Sequence, residues 1–212
     1  MELEGRVALI TGAARGIGAA IAQCFAEAGA KIAIADLDGE GAQKMAASLA
    51  TPSIGLSADA SDGNAMRSAA DQIVAELGSL DILINNAGVN DGAALDDSPE
   101  NFVASLKKNL SHPFALAHHL LSDLKNTRGN IVNIGSKVAD TGQGGTSGYA
   151  ASKGGMNALT REWAIDLSKF GIRVNCVVPA EVMTPLYAKW LAKSPDPAKA
   201  EDRIKSIIPL GN

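Results

Sequence analysis

Cysteine is scarce in this chain: there are two, Cys24 and Cys176, among 212 residues. A multi-disulfide scaffold is therefore excluded, and each cysteine sits in an apolar stretch, which predicts a buried, reduced thiol. Long hydrophobic runs are also missing. None approaches the roughly 20 apolar residues that cross a bilayer. Excess positive charge is absent as well, the formal net charge being -4, so nothing electrostatic favours nucleic acid or an anionic membrane as partner. The start, Met1-Glu2-Leu3-Glu4, is acidic and leads straight into an apolar strand pattern. It reads as no signal peptide, and a cytoplasmic location is expected. There is no solenoid repeat and no low-complexity linker, so 1–212 reads as one domain. His112, His118 and His119 share one helical stretch, but no carboxylate or cysteine cluster accompanies them and no metal site is expected. Of the three, His112 is singled out because it lies close to Asn109.

What is present is a regular alternation of short apolar runs and longer helical segments. Strands are expected over Arg6–Ile10, Lys31–Asp36, Ser53–Asp59, Ile82–Asn85, Asn130–Ile134 and Ile172–Val178. Helices are expected over Ile17–Ala28, Glu40–Leu49, Asp62–Leu77, Ser98–Leu124 (with a kink or break at Pro113) and Ser147–Phe170. Gly29 and Gly171 are placed to stop helices, and Asp62 to cap one. The strands are continuous apolar runs, the pattern of strands buried on both faces. Alternation with helices then gives an α/β fold, a doubly wound parallel sheet with helices on both sides. After Pro179 the texture changes. Ser194-Pro195-Asp196-Pro197 reads as a loop between two short helices, and 183–206 as a helical substrate-loop region inside the same domain.

Thr11-Gly12-Ala13-Ala14-Arg15-Gly16-Ile17-Gly18 follows the first strand and opens the first helix. Gly12 permits a tight turn. Gly16 and Gly18 let backbone approach a pyrophosphate, which the helix N-terminus would hold. Glycines alone often mark only a turn, but strand–turn–helix is the context that dinucleotide binding requires. Asp36 ends the second strand, where a carboxylate accepts both hydroxyls of an adenosine ribose and repels a 2′-phosphate. Arg15 pulls toward NADP. The carboxylate is the more direct contact, so NAD is expected over NADP.

Tyr149 and Lys153 stand four residues apart, on one face of a helix. A nearby ammonium, with the charge of an oxidised nicotinamide, would lower the phenol pKa and let Tyr149 act as general base, or as acid in reverse. Such a pair alone is common on helix surfaces. Ser136 raises it above that, standing at the C-terminal end of the fifth strand, where open α/β sheets bind ligands. Asn109, beside Leu110, reads as a core-facing amide that needs a hydrogen-bond partner. Asn109-Leu110-Ser111 also spells a glycosylation sequon, which the helical, cytosolic context discounts.

With these residues the chain resembles the short-chain dehydrogenase/reductase family over essentially its whole length. The matches are Thr11 to Gly18, Asn85-Asn86-Ala87-Gly88, Asn109, Ser136, Tyr149 and Lys153, in order and at the usual distances. The resemblance implies a Rossmann-type three-layer sandwich and a catalytic set of Asn109, Ser136, Tyr149 and Lys153. It implies that Tyr149 moves the proton, that Lys153 lowers its pKa and holds the nicotinamide ribose, and that Asn109 anchors a water leading to solvent. Cofactor contacts are implied for Gly12, Arg15, Gly16, Ile17, Gly18, Asp36 and Leu37. Others are implied for Asp59 and Ala60 at the adenine, for Asn86, Ala87 and Gly88, for Tyr149 and Lys153, and for Pro179, Val182 and Thr184 near the nicotinamide. It further implies a homodimer or homotetramer. Two departures stand out. Ala180-Glu181 follow Pro179 where a glycine is usual. Family members also continue beyond the position of Asn212 with a seventh strand, so a sheet without that strand is expected.

For substrate, Asn85 to Gly92, Thr141 to Tyr149 and Pro179 to Tyr187 resemble the L-fucose dehydrogenase-like subgroup. That resemblance implies oxidation of an aldose at its anomeric carbon to a lactone. Asn90, Ser136, Lys137, Gln143, Tyr149 and Glu181 are the candidate substrate residues, although the first, third, fourth and last could equally be loop and cap residues. Two alternatives stay open: a reductase of ketones or 3-oxoacyl substrates, and a nucleotide-binding sensor without turnover. Asp36 argues against the first, and the complete catalytic set against the second.

Overall fold

The structure, a computed structural model, describes residues 1–208. Its first half runs β1 (Val7–Thr11), α1 (Gly16–Glu27), β2 (Lys31–Asp36), α2 (Gly39–Ala47), β3 (Ser53–Ser57), α3 (Gly63–Leu77) and β4 (Ile82–Asn85). Then come α4 (Pro99–Leu106), a π-helical turn (Lys107–Ser111), α5 (His112–His119), α6 (Leu121–Thr127), β5 (Asn130–Ile134), α7 (Val138–Thr141) and α8 (Ser147–Asp166). A 3₁₀ turn (Ser168–Phe170), β6 (Arg173–Val177), α9 (Pro185–Leu191) and α10 (Pro197–Ile207) complete the described chain.

All strand pairs are parallel, and the order is β3-β2-β1-β4-β5-β6. The chain winds outward from β1 to β3, returns to the middle at β4, and winds the other way to β6. That reversal between β1 and β4 leaves a crevice at the carboxyl ends of the strands. Successive strand residues face opposite layers. Ala8, Ile10, Ile32, Ile34, Ile82 and Ile84 pack against small residues of α1 and α2, including Ala22, Ala26, Ala42 and Ala46. Val7, Leu9, Ala33, Leu83 and Ile131 pack on the other side against α3, α5 and α6 through Met66, Ile73, Leu116 and Leu124. The result is the expected doubly wound α/β architecture with helices on both faces.

Local chemistry sets the helix ends. Asp38, Asp62, Ser98, Thr184 and Asp196 each accept a backbone N–H at the start of a helix. α1 has no such cap, because Arg15 at its N-terminus makes no side-chain bond to the helix. Gly29 and Gly171 take φ of 96° and 74° after their helices, a conformation that costs glycine little.

Three expectations are corrected. The helix expected over Ser98–Leu124 is four pieces. Pro113 does not break it, because Pro113 occupies the first turn of α5, where proline is tolerated. The chain departs from helical geometry at Leu120 (φ −97°, ψ 8°). Burial on both faces holds for β1 and β4 but not for the edge strands of the described sheet: in β6, Arg173, Asn175 and Val177 face outward. Finally, the thiols are not buried. Cys24 is exposed on the outer side of α1, and Cys176 is half-exposed on edge strand β6. An apolar neighbourhood in sequence did not separate a helix's inner face from its outer one.

A buried polar chain crosses the apolar sheet. Asn85 donates to Asn133 (2.8 Å), Asn133 to the Thr160 hydroxyl (2.9 Å), and Thr160 to the Met156 carbonyl (2.8 Å). It joins β4, β5 and α8, the elements that carry the loop after β4, Ser136 and Tyr149.

Candidate active site

The turn after β1 is built by close backbone approach. Gly12 has φ 64°, and a Cβ there would stand 2.8 Å from the Ala87 Cα. A Cβ on Gly18 would meet Asn86 Nδ2 and the Gly12 carbonyl at 2.6 Å. Asn86 turns inward: its amide donates to the carbonyls of Thr11 (2.8 Å) and Gly12 (3.0 Å). The Thr11 hydroxyl accepts the backbone N–H groups of Asn86 and Ala87, each at 3.0 Å. Thr11 thus clamps the loop after β4 to the glycine turn. Its signal in the sequence is a hydroxyl ending an otherwise apolar strand.

At the far side, Asp36 is held by two backbone donors, Ala14 N–H and Asp38 N–H, both at 3.0 Å. Arg15 does not approach Asp36. It pairs with Asp38 at 3.3 Å, and both side chains are exposed. Asp59 accepts the backbone N–H and, more weakly, the hydroxyl of Ser61, which together hold its carboxyl below the usual range.

The catalytic candidates meet above β5. Ser136 lies two residues past the strand, with the Gly135 N–H bound to the Val177 carbonyl at 2.8 Å. Tyr149 is in the first turn of α8, and Lys153 lies one turn later. Lys153 is 3% exposed, and its ammonium donates to the Ile134 carbonyl at 2.7 Å. Burial lowers its pKa to about 8, with Cys176 opposing. Its Nζ stands 5.7 Å from the centre of the Tyr149 ring. The expectation that Lys153 lowers the Tyr149 pKa does not hold for the chain alone. Burial pushes the phenol up, and the hydrogen bond with Ser136 only partly offsets it. In the loaded enzyme, the positive charge of an oxidised nicotinamide would favour the phenolate.

Asn109 sits in the π-helical turn, fully buried. Its carbonyl oxygen accepts the Val89 N–H (2.7 Å), and its amide donates to the Ser105 carbonyl (2.9 Å). A Cβ on Gly88 would lie 3.0 Å from Asn109 Oδ1 and 3.4 Å from Lys153 Nζ, so glycine there lets both groups reach the cleft wall. Next to it, His112 is fully buried, with Nε2 3.0 Å from the Ala87 carbonyl.

Together these groups line a cleft of about 680 Å³ along the carboxyl ends of the strands, within the usual ligand-site range of about 300–1,000 Å³. The lining includes Gly12, Arg15, Gly16, Ile17, Asp36, Leu37, Asp59, Ala60, Asn86, Ala87 and Gly88, together with Ser136, Tyr149, Lys153, Pro179, Val182 and Thr184. Gly18 and Asn109 stand behind the wall. Asn90 and Gln143 are exposed and outside the lining, and Lys137 and Glu181 pair with each other beside Ser136. Sequence reasoning missed Asp91, Lys108 and Tyr187, which do line the cleft. No group of metal-ligating side chains occurs among the described residues, and no helix there is long and apolar enough to cross a membrane. A dinucleotide fits this donor set: an uncapped helix start for phosphates, glycines that leave backbone bare, and a carboxylate placed for ribose hydroxyls.

Known proteins share this chain's sequence pattern and fold. The family model described as short chain dehydrogenase matches residues 6–195. L-fucose dehydrogenase of Rattus norvegicus is 34% identical over 196 residues, covering 92% of this chain and 72% of the relative. D-threitol dehydrogenase of Mycolicibacterium smegmatis is 37% identical over 216 residues (99% and 81%). The 3-oxoacyl-[acyl-carrier-protein] reductase FabG of Escherichia coli is 36% identical over 188 residues (88% and 77%). A crystal structure of NAD+-bound xylitol dehydrogenase superposes with a TM-score of 0.91 at 27% identity, covering 100% of this chain and 88% of that one. From fold, cleft and kinship together, this chain belongs to the short chain dehydrogenase family, oxidoreductases that act on CH–OH groups with a nicotinamide cofactor.

Proposed function

We propose that this protein is an NAD-dependent dehydrogenase of sugars or polyols. The observation that carries the reading is the joint placement of Ser136, Tyr149 and Lys153 in a cleft that Asp36 also lines. NAD supplies the hydride acceptor. Ser136 holds the substrate oxygen with its hydroxyl. Tyr149 takes the proton from the substrate hydroxyl at its phenolic oxygen. Lys153 keeps a positive charge beside that oxygen and binds the nicotinamide ribose. Asn109 holds a water on the path to solvent. Asp36 accepts the adenosine ribose hydroxyls and repels a 2′-phosphate. Lys137 and Glu181 brace the loop over the substrate, with Asn90 and Gln143 at the rim. Relatives named L-fucose dehydrogenase and D-threitol dehydrogenase support a polyhydroxylated substrate. An aldose oxidised at its anomeric carbon leaves as a lactone.

A second reading is a 3-oxoacyl reductase, favoured by the kinship with FabG. The same residues run the reverse reaction, with Tyr149 as the acid. The reading also includes a cytosolic homodimer or homotetramer, supported by two free thiols and by exposed Val103, Phe114 and Ile165.

The test is to mix the protein with NAD and a panel of aldoses, polyols and simple alcohols and follow NADH absorbance. Turnover of a sugar or polyol is the expected result, abolished in Tyr149→Phe while NAD affinity is kept. Tight NAD binding without turnover of any of them would overturn the reading. Activity confined to 3-oxoacyl reduction would favour the second.

A further inference from the structure

The geometry points to Asp91 and Lys108 as a subsite for the hydroxyl groups of a polyhydroxylated substrate, set beside the catalytic tyrosine. This inference rests on the sugar or polyol reading above.

Both side chains line the cleft. Asp91 lies in the connection between β4 and α4, and Lys108 in the π-helical turn. They are 3.2 Å apart, with Lys108 48% and the Asp91 side chain 18% exposed. An exposed ion pair of this kind adds little to stability.

Their location relative to the reacting centre follows from three contacts. The Ser105 hydroxyl donates to Asp91 Oδ1 at 2.8 Å. Ser105 is fully buried, and a Cβ on Gly148 would lie 2.6 Å from its Cβ. Gly148 precedes Tyr149, and its N–H is bound to the Ala93 carbonyl at 3.0 Å. One serine therefore separates Asp91 from the backbone that carries the tyrosine. Ser105 also accepts the Asn109 amide through its carbonyl, so Asp91 rests on the same rigid frame as the catalytic set.

The pair retains hydrogen-bonding capacity toward the cleft. An ionised carboxylate offers about four acceptor positions, and Ser105, Lys108 and the Asp91 backbone N–H use three. The ammonium has three N–H groups, one of them directed to Asp91. A free acceptor position beside free N–H donors matches adjacent hydroxyl groups, which both give and accept. The neighbouring lining residues Val89, Val182 and Leu186 are apolar and would serve a monohydric alcohol as well as a polyol. An apolar substrate would bury the pair without replacing its water.

Asp91→Asn keeps an acceptor for Ser105 but removes the charge; Lys108→Met keeps the aliphatic stem. The measurement is NAD-linked oxidation of a four-carbon polyol and of cyclohexanol by each variant. It is paired with titration of the polyol into the enzyme–NADH complex, read by NADH fluorescence. The expected result for Asp91→Asn is a rise of about tenfold or more in KM and in the fluorescence Kd for the polyol. The ratio of kcat/KM for polyol over cyclohexanol should fall by the same factor. Lys108→Met should shift the ratio in the same direction by a smaller factor. Equal losses on both substrates would assign Asp91 a structural role through Ser105 and overturn the subsite, as would an unchanged ratio. A parent enzyme that oxidises cyclohexanol but no polyol or aldose would instead overturn the sugar and polyol reading itself.

Discussion

The imidazole Nε2 of His112 stands 3.0 Å from the carbonyl oxygen of Ala87, and the ring is completely buried. A carbonyl only accepts, so Nε2 carries a proton. Burial, with the Lys153 charge second, holds its pKa down at about 4. Because the Ala87 N–H is bound to Thr11, the residue that walls the cleft is held from both sides.

The folded pKa lies below the ordinary 6.5, so the unfolded chain takes up more protons as pH falls from 6.5 toward 4. Stability is lost across that window. His112→Gln keeps an N–H for Ala87 and removes the titration. Urea unfolding at pH 7 and pH 5 should show the parent losing on the order of 2 kcal/mol more than the variant. Equal losses would remove His112 as the acid-sensitive group.

Lys153 should trade stability for activity. Its folded pKa of about 8 is below the ordinary 10.5, so charging it in the fold is a penalty, full below pH 8 and gone above 10.5. The penalty is on the order of 3 kcal/mol, against roughly 1 kcal/mol for the hydrogen bond to Ile134. Lys153→Met should therefore lose turnover and yet unfold at higher urea at pH 7, with the gain shrinking toward pH 10.5. A variant less stable than the parent at pH 7 would contradict this.

Two glycines of the phosphate turn separate strain from contact. Gly12 and Gly16 have φ of 64° and 63°, so alanine at either costs about 1–3 kcal/mol in backbone strain. Only at Gly12 does the new methyl meet backbone, at 2.8 Å; at Gly16 the nearest atom is 3.8 Å away on Thr184. Gly12→Ala should lower both stability and NADH affinity more than Gly16→Ala lowers stability. Chemical denaturation and fluorescence titration would measure both, and equal stability losses would mean the Ala87 contact yields freely.

Cofactor choice should depend on two carboxylates. Asp36→Ser removes the charge proposed to face the adenosine ribose and should tighten NADPH binding by about tenfold or more, by the Coulomb term it deletes. Asp38→Asn keeps the α2 cap while releasing Arg15, and should add only a severalfold gain because the pair is exposed. NADPH fluorescence titration of both variants and the double variant checks this. No change in Asp36→Ser would remove Asp36 from the ribose site.

Much of the fold was legible because its strands are local events. Lys31–Asp36, Ile82–Asn85 and Asn130–Ile134 fall where the apolar runs place them. The stretch from Ser98 to Leu124 was less so, since a π-helical turn at Asn109 and a stop at Leu120 carry no marker residue. Two charged residues of the cleft wall were invisible for another reason. Asp91 and Lys108 are 17 residues apart, and only the fold of the β4–α4 connection brings them together. Motifs reveal residues that a turn or one helix face aligns. They are silent on side chains that tertiary packing assembles, and on burial, which reversed the direction expected for Tyr149.

The hydrogen-bonded chain from Asn85 through Asn133 to Thr160 has a consequence for how the active site comes to be built. In a parallel sheet of aliphatic side chains, β5 sliding one residue along β4 would trade one apolar contact for another, a weak discrimination. Here Asn85 is paired directly with Asn133, and a one-residue slip would turn Asn133 to the opposite face and strand two amides in the core. Misaligned intermediates are therefore penalised by unmet polar groups. The height of Ser136 above the loop that follows Asn85 is set when the strands first dock, before any cofactor arrives.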